Sequence, residues 1–179
     1  MKIYKLFYTS KKRFNPGVFK VDFIKGKTNN AFGLEFHPDT YSDFLDNIYH
    51  SLHSRNIEQH VMTTYKFMEF IKKADKLDFK LGNVILEKEE QLYGYDGYEC
   101  LKDSLNREDV NATIEYLDLL VQEAIEIKCI EGYFIKEDGN LERLNIYSNG
   151  TISTTISTGK EKNEYLFLEF LVKGPEVLL

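Results

Sequence analysis

Residues 128–157 read KCIEGYFIKEDGNLERLNIYSNGTISTTIS, and their reading decides the fold class. Apolar and polar positions alternate through three short runs, the period of a strand with one buried face. Between the runs stand Asp138-Gly139-Asn140 and Asn149-Gly150. Such residues accept the positive φ angles of a tight hairpin turn, so they join antiparallel neighbours. Strands are therefore expected at 128–136, 141–147 and 151–157. A fourth apolar run, YLFLEFLV at 165–172, follows Gly159-Lys160-Glu161-Lys162. Apolar on both faces, it suits a strand that sits centrally or under helices. Placed at 164–173, it completes a four-stranded antiparallel meander.

Upstream of residue 128 the period changes. Tyr41, Phe44, Leu45, Ile48 and Leu52 recur at spacings of three and four, the stripe of an amphipathic helix. Pro38-Asp39-Thr40 opens it, with Asp39 or Thr40 as cap, and Asn56 ends it. Ile57, Val61, Tyr65, Met68 and Lys72 predict a second helix. Val110, Ile114, Leu117, Val121 and Ala124 predict another from about residue 108, capped by Asn106. Leu81–Leu86 reads as a strand, and Tyr93–Tyr98 as a tyrosine-rich loop.

At the start of the chain, strands are expected at 2–9 and 17–25. Phe19, Val21 and Phe23 alternate with Lys20 and Asp22, and Gly26-Lys27-Thr28-Asn29 turns the chain into Phe32, Leu34 and Phe36. That is a hairpin over 18–36. The order gives an α+β fold: N-terminal antiparallel strands, central helices and the C-terminal four-stranded antiparallel meander. With no repeat and no Pro/Gly-rich linker, 1–179 reads as a single α+β domain.

At 42% hydrophobic, with 13 Phe and 12 Tyr, the chain can fill a core without disulfide or metal. Its two cysteines, Cys100 and Cys129, are too few for a secreted disulfide framework. The opening MKIYKLFYTSKKRF is interrupted by Lys, unlike a signal peptide, and no apolar run spans a bilayer. A cytoplasmic protein is expected. The Lys, Ile, Asn and Tyr bias suits an AT-rich genome, bacterial or phage.

The net charge of −6 hides a split. Residues 1–82 carry 14 Lys and Arg against 9 Asp and Glu, whereas residues 83–142 carry 5 against 16. An acidic surface would repel nucleic acid and steer a basic protein towards it. Inside the acidic stretch, Tyr93, Tyr95 and Tyr98 stand among Glu89, Glu90, Asp96 and Glu99. Tyrosine offers a large rigid contact surface at low entropic cost, so these seven residues are the candidate partner-binding set. The plainer alternative folds the rings back onto the core.

Three other clusters are weaker. Asp46, His50 and His53 share one helix face, with His60 beyond them, and could face a Zn²⁺ or Ni²⁺ ion in a hydrolase or metal-binding regulator. The plainer reading is a solvated helix face. Glu126-Ile127-Lys128, with Asp109 or Glu87, matches half of a metal-dependent nuclease site. Lys11-Lys12-Arg13-Phe14, with Lys5, Lys20, Lys25 and Lys27, could touch phosphates, or keep an edge strand soluble. No phosphate-binding loop, nucleotide-binding glycine motif, nucleophile elbow, calcium loop or zinc-finger spacing occurs. The expectation is a non-enzymatic, cofactor-free binding module: an inhibitor of the immunity, antitoxin or anti-defence kind covering a basic, nuclease-like partner.

Overall fold

The computed structural model describes residues 1–11, 14–28, 30–135, 139–156 and 165–174. The chain runs β1 (Lys2–Thr9), β2 (Phe23–Lys25), β3 (Ala31–Glu35), α1 (Tyr41–Ser54), β4 (Ile57–Gln59), α2 (Thr64–Lys72) and β5 (Phe79–Leu86). It continues through α3 (Asp96–Asn106), α4 (Val110–Gln122), β6 (Ile127–Ile135), β7 (Leu141–Tyr147), β8 (Thr151–Thr154) and α5 (Leu166–Lys173). Five helices and eight strands among the described residues make this an α+β protein. None of these helices is long and apolar enough to cross a membrane. The contacts divide the chain into two compact units, one of Met1–Val61 with Asn149–Leu179 and the other of Met62–Ser148.

In the first unit β1 is the central strand. Along one edge it pairs antiparallel with β3, from Tyr4↔Glu35 to Tyr8↔Ala31. Along the other it pairs first with β8 and then, from Phe7 to Thr9, with β4. Tyr4 to Phe7 are buried in an unbroken run rather than alternately, so the strand is covered on both faces there. Phe7, Phe32 and Leu34 meet Ile48 and Leu52 of α1 and Ile57 of β4 in one apolar cluster. The glycine of the Asn149-Gly150 turn is obligatory. Its φ is +74°, and a Cβ there would lie 1.8 Å from the His60 carbonyl oxygen.

In the second unit β5, β6 and β7 form an antiparallel sheet in that order. Val84, Ile130 and Ile146 stand opposite one another and are fully buried. Phe79 packs edge-on between Phe70 of α2 (5.1 Å) and Phe134 of β6 (5.4 Å). The close approach of β5 and β6 needs Gly132, where a Cβ would meet the Lys80 carbonyl oxygen at 2.2 Å. Helices α3 and α4 form a hairpin across which the buried Ser104 Oγ meets Thr113 Oγ1 at 2.9 Å, so both hydroxyls are satisfied.

Several expectations need correction. In place of the fourth strand expected at 164–173, Leu166–Lys173 form helix α5. Phe167, Leu168, Glu169, Phe170 and Leu171 are all buried, so no polar face marked the helical period. The helix expected from Ile57 begins at Thr64, with Thr63 capping the Lys66 N–H at 3.3 Å, and Ile57–Gln59 is strand β4 instead. Of the strand expected at 17–25 only Phe23–Lys25 is one. Pro16–Phe19 is a 3₁₀ turn whose first residues are pinned by the Asn15 side chain accepting from Gly17 N–H at 3.0 Å. Asn106 is the last residue of α3, and Asp109 caps α4 by accepting from Ala112 N–H at 3.0 Å. Asn29, Asp138, the 159–162 turn and both residues 157 and 164 lie outside the described residues.

Candidate partner-binding surface

The candidate tyrosines and acids all fall in the second unit, on a strap that leads from β5 into α3. Lys88, at φ +57°, ends the strand and turns the chain into a 3₁₀ turn at Glu89–Gln91. Gly94, at φ +81°, turns it again, and α3 starts at Asp96. The strap is tied to the helix it precedes. Gly94 N–H donates to Glu99 Oε1 at 3.2 Å, and Tyr98 N–H to the Tyr95 carbonyl at 2.9 Å. Asp96 and Glu99 also sit in the first turn of α3, where the helix dipole favours carboxylates.

The structure sorts the seven residues into two groups. Tyr98 is 2% exposed, whereas Tyr93 and Tyr95 are 71% and 42% exposed. The Tyr98 ring lies at right angles to Tyr93, 5.8 Å between centroids, with the Lys102 ammonium 5.1 Å above it. Its hydroxyl donates to Glu89 Oε1, the oxygen that Lys102 Nζ pairs with at 2.7 Å. Lys102 reaches on to Asn83 Oδ1 of β5 at 3.4 Å. Burial raises the Tyr98 phenol well above its ordinary value, and the bond to Glu89 adds to this. For Glu89 burial opposes ionisation, but the hydrogen bonds from Lys102 and Tyr98 outweigh it and hold the carboxyl below the usual range. Glu89 and Tyr98 therefore anchor the strap from inside.

Glu90, Tyr93, Tyr95, Asp96 and Glu99 form the outer group, all exposed. Tyr95 is held from the far end of the helix hairpin: its hydroxyl donates to Glu123 Oε1 at 2.5 Å, which raises the phenol. Glu123 was not singled out in the sequence. It lies 28 positions from Tyr95, and only the α3–α4 hairpin brings them together. The acidity follows the same boundary. Residues 62–148 carry 11 Lys and Arg against 19 Asp and Glu, and the rest of the chain 12 against 10. Several bases of this unit are already engaged, among them Lys72 by Glu69 at 3.8 Å, Lys80 by Asp75 at 3.4 Å, Lys102 by Glu89 and Arg107 by Asp103 at 3.6 Å.

The other clusters come apart. Asp46, His50 and His53 are exposed on α1, where the Tyr49 ring stands edge-on to His50 (5.9 Å) and His53 (6.2 Å). His60 is buried beside β1, its N–H donating to the Leu6 carbonyl at 2.9 Å. Among the described residues no three His, Cys, Asp or Glu are grouped to hold a metal ion. Asp109 is spent on its cap, and Glu87 N–H donates to the Glu126 carbonyl at 2.8 Å, a backbone contact. Of the N-terminal bases, Lys5 is buried with its ammonium on the Asn149 carbonyl, and burial lowers its pKa. Phe14 belongs to the apolar cluster, Lys20 and Lys27 are exposed, and Lys12 and Arg13 lie outside the described residues. Cys129 is buried, which pushes its thiol up to about 12, far from a reactive thiolate. Comparison with known proteins finds no matching family model, no matching curated protein and no matching solved structure.

Proposed function

We propose that this chain is a cytoplasmic, stoichiometric protein-binding module, an inhibitor that covers a basic partner of the toxin or nuclease-like kind. The observation that carries this reading is the outer face of the strap. Two exposed tyrosines stand among Glu90, Asp96, Glu99 and Glu123 on the acidic unit, and one of them is fixed in place by a hydrogen bond. A ring already held in one position loses little freedom on binding, so more of its contact free energy is realised. The surrounding carboxylates would accelerate encounter with a cationic surface and could occupy the places of nucleic-acid phosphates.

The test is retention of a basic protein from the native host at moderate salt, comparing wild type with Glu90→Lys combined with Tyr93→Ala. Both side chains are exposed, so the variant should fold normally. A loss of roughly a hundredfold in affinity is expected for an anchor tyrosine together with a steering charge. Unchanged affinity for a verified partner would place the interface elsewhere.

A further inference from the structure

A groove of about 610 Å³ opens in the first unit between α1, residues 18–21 and the chain leaving β3 at residues 35–37. Its volume falls within the range that small-molecule sites occupy. The floor is aromatic. Phe19, Phe36 and Phe44 line it and are only half-buried, with Phe36 and Phe44 5.5 Å apart and inclined by 30°. One wall is polar, because Asp43, Asn47 and Ser51 follow each other at intervals of four along a single line of α1.

The charge of the groove has one sign. Two carboxylate residues line it, and its only basic residue is His37, whose ring is engaged with Asp39 at 3.5 Å. Glu35 is already paired, with Lys2 Nζ 2.7 Å from its Oε2. Asp43 is exposed and carries no ion pair among the described residues. The faces of the phenyl rings are electron-rich and attract cations as well. Half-buried rings offer apolar area to a flat body, and an unpaired carboxylate beside them offers a counter-charge.

We propose that this groove binds a small organic cation, a protonated amine on a flat apolar body, with the body against Phe19, Phe36 and Phe44 and the ammonium beside Asp43. The site is separate from the strap of the second unit and does not depend on the partner proposed for it.

Three probes of one shape distinguish the contributions: 2-naphthylmethylammonium, 2-naphthylmethanol and 2-naphthoate, titrated into the full chain and followed by backbone amide shifts. The ammonium should give saturable shifts confined to residues 18–21 and 35–51. It should bind about three- to tenfold more tightly than the alcohol, as expected for one screened charge pair with a cation–ring contribution. The naphthoate should bind more weakly than the alcohol. Asp43→Asn should erase the preference for the ammonium while keeping the alcohol bound. Ser51→Phe, which fills the groove from a half-buried position, should abolish all three. Shifts that do not saturate, equal binding of naphthoate and ammonium, or binding that survives Ser51→Phe would each overturn the proposal.

Discussion

The histidine-bearing face of α1 and the tyrosine-bearing strap at 89–99 are both polar surface segments, and they are organised differently. On α1, Asp46, His50 and His53 share a face because the helix repeats every 3.6 residues. Each remains exposed, and the Tyr49 ring of the same helix stands edge-on to both histidines. In the strap no period relates the important residues. Glu89 comes from a 3₁₀ turn, Tyr98 and Lys102 from α3 and Asn83 from β5, yet they close into one network. Helical spacing lines side chains up along a single cylinder. A fixed site needs partners from different elements, and only the strap has them.

The most severe way to break this contrast is to remove the closing ring. Tyr98→Ala should cost about 3–5 kcal/mol, the range for deleting a buried aromatic side chain, read as a shift of the urea midpoint. A cost below about 1 kcal/mol would mean that the strap is not anchored through Tyr98. Tyr98→Phe keeps the ring and loses only the hydroxyl. It should leave partner affinity unchanged, because the side chain is 2% exposed.

Glu89→Gln sharpens the comparison by leaving shape intact and removing charge. A cost of about 1–2 kcal/mol near neutral pH is expected, since the ammonium of Lys102 then loses its counter-ion. The pH dependence has a definite sign. The Glu89 carboxyl lies below its ordinary value, so its pairing contributes fully above the usual glutamate range and fades as pH falls through the folded value. Tyr98, whose phenol is raised, stays protonated throughout and keeps donating. The stability gap between wild type and Glu89→Gln should therefore close as pH falls below the usual glutamate range. A gap that stays constant would mean that the charge of Glu89 does nothing for the strap.

The same distinction decides how much was legible beforehand. Where one period governed an element, the residues sufficed: α1 and the hairpin of β6 and β7 stand close to their expected places. Where the buried surface surrounds an element, periodicity vanishes, and YLFLEFLV could be helix or strand until its packing chose helix. Ile57 and Val61 kept helical spacing across a boundary set by distant pairing, Thr9↔Ile57, which no local pattern reports. Helix α3 was hidden because Gly97 sits in its first turn and its end, at Arg107–Asp109, carries no glycine, only Glu108 at φ +56°. Yet Tyr98, Leu101 and Leu105 were spaced as a stripe and could have announced it. For the strap, composition singled out residues 89–99 as the candidate surface. It could not say that Tyr98 turns inward while Tyr93 and Tyr95 turn outward, since Lys102 and Glu89 fix the one and Glu123 fixes Tyr95.

The smallest expected effect lies on α1. His50→Ala combined with His53→Ala should change stability by no more than about 0.5 kcal/mol, as for exposed side chains away from any network. Zinc provides the sharper reading. An ion held by these imidazoles would stabilise the folded chain by about 2.7 kcal/mol at a hundredfold excess over its Kd, and the double variant would lose that increment. With His60 turned into the fold and no third ligand grouped beside the pair among the described residues, zinc should raise the unfolding midpoint equally little in both proteins. A rise present in wild type and absent from the double variant would show that two imidazoles on one helix face can make a site without partners from elsewhere. The contrast with the strap would then rest on burial alone.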